Sequence, residues 1–484
     1  LFLNNLRNLR NLWLRNSYSC HFATITLRIH FFFPISMSAK RKYFGTDGIR
    51  GAFGSPTMCP EFARSIGAGL ARYMKEKGFP LPHTVLIGRD TRGCGPALVS
   101  ALAEGLASEG ASAIDAGVAP TPAIALAIPA AKATMGIAVT ASHNPASDNG
   151  IKIFSGEALK LPDAAELAIE AHIDDALAHP LPVAEASMSV FDAATNYRRK
   201  MMSVLPKDAL KGWVIATDTA HGAATFTTPA VLAAYGAEVQ CAGNTPDGSN
   251  INANVGSEHP EVVRELARKT HARLGIANDG DADRVILCDE KGELLDGDEV
   301  LALVGLHLLA KGELKKNTLV ATVMSNLALD EAMEKAGGRV VRVDVGDRYI
   351  LEAMLKDGYN FGGEASGHII FKDISTTGDG LLAALQVLAI MAETGKPLSE
   401  LRKTLSLWPQ KKKNLKVRER LPFDTIPGWN DAVADIEKNL GKGRVLVRYS
   451  GTEPKIRLLA EAKDAVQADV ALAALEALVA KHLS

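Results

Sequence analysis

From Pro82 onward, short runs of β-branched and aliphatic residues alternate with longer stretches in which Ala and Leu recur at helical spacing, the pattern of sheets covered by helices. PALVSALAEGLASEG (96–110), AAELAIEAHIDDALAH (164–179) and EVVRELARKTHARL (261–274) read as helices. One order of elements returns three times. TVLIGRDT (84–91) leads through a helix to GASAIDAG (110–117), WVIATDTA (213–220) to GAEVQCAG (236–243), and TLVATVMS (318–325) to GGRVVRVDVG (337–346). Three copies of one unit predict three related mixed α/β domains in series. The tail differs: LWPQKKKNLKV (407–417), basic and Pro-containing, reads as a linker, followed by the strand RVLVRYS (444–450) and the helix DVALAALEALVAKHL (469–483). The expected division is 37–190, 191–296, 297–408 and a smaller α+β domain over 409–484.

Composition narrows the class of protein. A chain of 484 residues with 47% hydrophobic and 23% charged content can bury several cores, and a formal charge of -1 offers no general attraction to nucleic acid or an anionic membrane. Any anion must be met by local charge. The five cysteines have neither disulfide-framework nor zinc spacing, which fits a reducing, cytoplasmic compartment. The first 36 residues contain no acid and precede Met37, so they read as translated upstream sequence or, alternatively, a transit-type leader. No stretch reaches the ~20 apolar residues that a membrane helix needs.

The chemistry is carried by loops. In TASHNP (140–145) Ser142 stands beside His143, but on an extended chain neighbours face opposite ways, so His143 is not expected to act as its base. In NDGDADRVILCDE (278–290), Asp279, Asp281 and Asp283 alternate with Gly280 and Ala282, and an extended backbone would turn all three carboxylates one way. Such a set suits Mg²⁺ or Ca²⁺. A calcium EF-hand fails, although Glu290 takes its twelfth position, because Arg284 replaces the turn Gly and VILC reads as a strand; a solvated acidic turn is the remaining alternative. FGGEASGHIIF (361–371) presents Glu364 and Ser366 on a Gly-rich loop suited to a polyol, and VRYSGTEPKIR (447–457) flanks a Ser-Gly-Thr turn with Arg448 and Arg457 as a phosphate cradle. FGTDGIRG (44–51) adds Arg50. Each of these three also reads as an ordinary turn by itself. Together they are the parts for phosphoryl transfer on a sugar phosphate, with Ser142 as a phosphoserine facing a bound cation.

TASHNP, DGDADR, GEASGH and RYSGTEP, in that order from about Arg41 to the end, resemble the four signature loops of the α-D-phosphohexomutases. The resemblance implies four domains around a central cleft. It makes Ser142 the phosphoserine, Asp279, Asp281 and Asp283 the Mg²⁺ ligands with a phosphoserine oxygen, and Lys152 the general acid/base with Arg50 and His143 nearby. Arg284 is placed beside the metal loop; Glu364 and Ser366 become sugar readers, and Arg448, Ser450, Gly451, Thr452 and Arg457 hold the non-reacting phosphate. A sugar 1,6-bisphosphate is implied as intermediate and activator, with a homodimer among the assemblies. KYFGTDGIRG, VMSNLALDEAM and VGDRYILEAM resemble most the amino-sugar members, which interconvert glucosamine 6-phosphate and glucosamine 1-phosphate on the way to UDP-N-acetylglucosamine. Glucose or mannose phosphates are the rival substrates, and binding of a cation or sugar phosphate without turnover is the non-enzymatic rival. Two positions depart from the pattern: Ala365 stands where Gln is usual, and Ala282 where a second Gly is. The fourth domain is expected to swing as a lid, because few contacts should cross the linker.

Overall fold

A computed structural model describes residues 41–450 and 454–483. The leader expected over 1–36 and the turn residues Gly451 and Thr452 lie outside the described residues. Among the described residues, eighteen strands form four sheets. The first contains β1 (Ile49–Ala52), β2 (Thr84–Arg89), β3 (Ser112–Val118), β4 (Met135–Val139), β5 (Asp148–Ser155) and β6 (Met188–Val190) in the order β1-β5-β4-β2-β3-β6. The second has β7 (Val214–Asp218), β8 (Glu238–Ala242), β9 (Leu274–Asn278), β10 (Val285–Asp289) and β11 (Leu294–Leu295), ordered β11-β10-β9-β7-β8. In the third, β12 (Thr318–Thr322), β13 (Arg339–Val343), β14 (Phe361–Gly363) and β15 (Ile369–Phe371) run β13-β12-β14-β15. The last is β16 (Gln410–Lys416), β17 (Arg444–Tyr449) and β18 (Lys455–Glu461), with β18 central.

The threefold repeat legible in the sequence is thus a repeat of topology. In each of the first three sheets the leading strand (β2, β7, β12) lies between two parallel partners reached through helices. The third strand of each unit (β4, β9, β14) is then followed by an antiparallel one (β5, β10, β15). Parallel neighbours need a crossover, so their connections are helices, whereas the antiparallel pair closes through a short hairpin. Those three hairpin loops are TASHNPAS, DGDADR and EASGH. Equivalent positions of three units therefore carry the serine, the aspartates and the polyol loop.

The helices bury themselves for the reason their composition predicts. Gly380–Thr394 is enclosed from Gly380 to Met391 and joins one continuous core with strands of the second and third sheets. The first sheet has a second core against Pro60–Glu76 and Gly95–Ser108, and the fourth sheet has its own around Trp429 and Leu475. Among the described residues no single helix is long and apolar enough to cross a membrane.

Three expectations change. EVVRELARKTHARL is helical only through Thr270, because His271 takes the left-handed conformation (φ 52°) that ends the helix, and Leu274 already begins β9. The basic stretch after Pro409 is an edge strand, β16, on which Lys411 and Lys413 meet carboxylates (Asp469 at 2.9 Å, Glu476 at 2.6 Å) and Lys412 is exposed. Finally, the junction with the fourth sheet is well bonded. Trp408 and Asn326 exchange two hydrogen bonds (2.9 and 3.0 Å), Arg444 donates to Val323 O and Ser325 O (2.8 and 2.6 Å), and buried Glu461 accepts from Leu327 N (2.7 Å).

Candidate active site

The β4–β5 hairpin is not extended at its tip. Thr140 Oγ1 accepts the amide of Ser142 at 3.0 Å, and Ser142 itself is left-handed (φ 54°), a conformation rare for a residue with a β-carbon. The side chains of Ser142 and His143 consequently do not diverge. His143 Nδ1 is 3.4 Å from Ser142 Oγ, which overturns the expectation of opposite faces. Burial, with Arg284 and Arg50 nearby, holds His143 below its ordinary pKa. The Ser142 hydroxyl, 1% exposed, donates across to the next unit, to Asp279 Oδ2 at 2.5 Å.

The aspartate loop also converges for a different reason from strand alternation. It is a tight turn, with Ala282 left-handed (φ 59°), and it still brings one oxygen of each of Asp279, Asp281 and Asp283 within 4.8 Å of the others. Three helical segments hold the turn by their leading amides. Ala223 N donates to Gly280 O (2.9 Å), Thr121 N to Asp281 O (2.9 Å) and Gly380 N to Ala282 O (3.1 Å). Their positive ends face an acidic loop, so the carbonyls turn outward and the carboxylates inward. Gly280 permits the two hairpins to meet, since a β-carbon there would lie 2.7 Å from Ser142 O. Asp281 Oδ1 and Asp283 Oδ1 are buried without a hydrogen-bond partner. Clustered carboxylates with free buried oxygens fit a hard divalent cation. Glu290 takes no part; it binds Ser399.

Lys152, on β5, supplies the local countercharge. Its ammonium lies 2.8 Å from Asp281, 3.0 Å from Asp283 and 3.1 Å from Asp47. Burial works against that charge, but the three carboxylates outweigh it and raise the Lys152 pKa well above the ordinary lysine value. Asp279 sits farthest from this cation, and burial together with Asp283 and Asp281 pushes its carboxyl well above the usual range. Asp283, despite burial, is held well below by Lys152 and His368. His368 lies 3.7 Å from Asp283 and 3.3 Å from Asp347; against the effect of burial the two carboxylates push it up to about 10. Lys160 bridges Asp47 to Asp347 (2.6 Å). Thr121, Lys160, Asp347 and the partnering of Asp47 were not legible as site features, because isolated residues on distant segments carry no spacing signal.

Arg50 pairs with Asp47 and reaches Ala141 O at 3.3 Å, beside the serine. Arg284 lies between the carboxylate turn, 4.0 Å from Asp283, and the third loop; despite burial, Asp279, Asp283 and Glu364 raise its pKa. Glu364 accepts from Gly346 N (3.0 Å), with exposed Ser366 3.4 Å away. On the fourth sheet Arg448 and Arg457 are paired directly across β17 and β18. Burial and Arg457 lower the Arg448 pKa; its Nε is buried without a partner, while Arg457 reaches Ser450 Oγ at 3.4 Å. Asp344 and Glu364 act the other way on Arg448, and two guanidiniums so placed suit an anion.

Four family models match this architecture in chain order: phosphoglucomutase/phosphomannomutase α/β/α domain I over residues 41–179, domain II over 192–292, domain III over 296–407, and the C-terminal domain over 413–477. The chain belongs to the phosphoglucomutase/phosphomannomutase family, α/β enzymes of the phosphohexomutase type. Within it, the chain is 45% identical over 449 residues to the phosphoglucosamine mutase of Pelobacter propionicus, covering 92% of this chain and 99% of that protein. It is 48% identical over 434 residues to the phosphoglucosamine mutase of an Anaeromyxobacter species, covering 88% and 92%. The fold also matches a crystal structure of a phosphoglucomutase/phosphomannomutase family protein from Burkholderia thailandensis, with a TM-score of 0.77 at 23% identity over 91% of this chain and 98% of that one.

Proposed function

We propose that this protein interconverts glucosamine 6-phosphate and glucosamine 1-phosphate in the cytoplasm, with Ser142 as the phosphoryl carrier. The observation that carries the reading is the contact of Ser142 Oγ, across two equivalent hairpins, with Asp279, one of three clustered carboxylates. The phosphoserine O–P bond breaks as a new O–P bond forms to a sugar hydroxyl. Lys152 delivers a proton to the departing Ser142 Oγ and regains the one released by the sugar. The resulting 1,6-bisphosphate turns in the cleft and returns its other phosphoryl group to Ser142 by the reverse steps. Asp279, Asp281 and Asp283 would hold Mg²⁺, which supplies neutralising charge for the phosphoryl oxygens. Arg448, Ser450 and Arg457 grip the phosphate that is not reacting, while Glu364 and Ser366 read ring hydroxyls.

The 45–48% identity to phosphoglucosamine mutases favours the amino sugar. Ala365 offers no side-chain hydrogen bond to the ring, so the discrimination against glucose phosphate is expected to be incomplete. The test is turnover of glucosamine, glucose and mannose 6-phosphates with Mg²⁺ and a trace of glucose 1,6-bisphosphate. The highest kcat/KM should fall on glucosamine 6-phosphate. A preference for glucose or mannose phosphate would reassign the substrate, and no turnover of any would overturn the enzymatic reading.

A further inference from the structure

Ser142 is held in its left-handed conformation by two residues from different repeats, whose side chains hydrogen-bond to the serine hairpin and not to Asp279, Asp281 or Asp283. Arg92 is 1% exposed, and all five of its side-chain N–H groups are engaged. Nε donates to Asp90 (2.9 Å), Nη1 to Pro145 O and to Asp148 O (2.8 Å), and Nη2 to Ser142 O (3.0 Å) and Asn144 O (2.9 Å). From the second repeat, the Asn252 side-chain amide donates to the same two carbonyls, Ser142 O at 2.8 Å and Asn144 O at 2.9 Å. Asn252 is itself anchored through its backbone amide to Ala220 O (2.8 Å). The carbonyls on either side of His143 are thus clasped from both repeats at once.

A serine released from such a clasp relaxes toward the ordinary φ range, and its Oγ swings away from the aspartates. We infer that Arg92 and Asn252 are positioning residues for phosphoryl transfer: they fix the backbone of Ser142 so that its Oγ faces the second repeat. Arg92 sets the shape of the hairpin, and Asn252 registers it against the unit that carries the carboxylates. The inference rests on the reading of Ser142 as the phosphoryl carrier.

The variants are Asn252→Gly and Arg92→Lys. Asn252 is left-handed itself (φ 59°), so Gly removes the clasp without leaving a β-carbon in that conformation. Arg92→Lys keeps the charge beside Asp90 but has only three N–H donors for five acceptors. The reading to make is single-turnover transfer of ³²P from labelled glucose 1,6-bisphosphate to Ser142, with kcat and KM alongside. Asn252→Gly should slow labelling and kcat by about 10- to 100-fold, the cost of a misplaced reacting atom, with KM within about threefold. Its melting temperature should stay near that of the wild type. Wild-type labelling rates in Asn252→Gly would overturn the inference, as would a kcat loss matched by a rise in KM and a large fall in melting temperature. Should Arg92→Lys fail to fold, Asn252→Gly alone decides. If the wild type itself takes no label on Ser142, the phosphoryl-carrier reading fails and this inference with it.

Discussion

The two charged regions of this molecule are built on opposite terms. At the hairpins of the first two sheets, acid and base already answer each other: Lys152 faces Asp281, Asp283 and Asp47, and the Ser142 hydroxyl faces Asp279. On the fourth sheet, Arg448 and Arg457 stand opposite each other across two strands, and the Arg448 Nε is buried with no partner. Like charges directly opposite in a sheet are destabilising, a cost that Asp344 and Glu364 offset in part and that a bound anion would offset further. A centre whose charges are largely paired is expected to keep its geometry between turnovers, whereas an arginine pair of this kind is suited to holding an anion. The expected division of labour is that damage to the first region lowers kcat and damage to the second raises KM.

The most severe test of that division is Ser142→Ala. Removing the phosphoryl acceptor should lower kcat by at least ~10³-fold while leaving sugar-phosphate binding intact. Calorimetric titration of glucosamine 6-phosphate into the variant, beside a turnover assay, checks both halves of this statement.

Arg457→Met and Arg448→Met should do the converse. Loss of a charge-assisted fork is expected to raise KM by about 10- to 100-fold and to change kcat less. The ligand-free variants should melt no lower than the wild type, because a repulsive pair has been removed. Inorganic phosphate should raise the melting temperature of the wild type more than that of either variant. A variant with unchanged KM would show that the pair does not meet the substrate.

Gly280→Ala probes the contact between the first two repeats. Its β-carbon would lie 2.7 Å from Ser142 O and 2.7 Å from Ile251 Cδ1, so the hairpins must separate. About 1–3 kcal/mol of stability should be lost on chemical denaturation, with kcat falling and KM nearly unchanged.

The smallest effect concerns communication between the two regions. Asp298 is 2% exposed and accepts from Asn326 N (2.8 Å), the residue that exchanges bonds with Trp408 at the entry to the fourth sheet; neighbouring Gly297 N donates to Ala365 O (3.0 Å) in the sugar loop. Burial and the adjacent Asp296 push Asp298 up to about 7. A carboxyl with a raised pKa holds a proton in the native state that it has lost in the unfolded chain. Its contribution therefore falls as the pH rises from about 4, the unfolded value, through about 7. Asp298→Asn should flatten that part of the stability–pH profile, measured by urea denaturation between pH 4 and about 8.

Much of this architecture was legible from residue order alone. Repeated strand–helix–strand patterns survive divergence because burial demands them, so three α/β units were readable from TVLIGRDT, WVIATDTA and TLVATVMS. The loops that carry chemistry were readable too, since four ordered turns that gather Ser, Asp, Glu and Arg between apolar strands supply together what a sugar phosphate and a cation require. Local geometry inside those loops was not. Both TASHNP and DGDADR read as extended in the sequence, yet each contains a non-glycine residue in the left-handed region, Ser142 and Ala282. Nothing at those positions announces it, because neither serine nor alanine favours that conformation; it is imposed by Arg92, Asn252, Thr121 and Gly380, which reach the loops from elsewhere. The basic run at 411–413 escaped for a related reason: lysines at a sheet edge look like a solvated linker until a partner strand is seen beside them.

What the sequence by itself determined was the set of reactive groups and the sheets that carry them, because side-chain chemistry and hydrophobic periodicity are local properties of a chain. What only the tertiary structure decided was how those groups face one another. The Ser142 hydroxyl and the Asp279 carboxylate belong to residues 137 positions apart yet lie 2.5 Å from each other, and the reason is that the loops of equivalent hairpins in two repeats meet. A distance of that kind is the sum of many packing choices along two sheets, and no short stretch of residues encodes it.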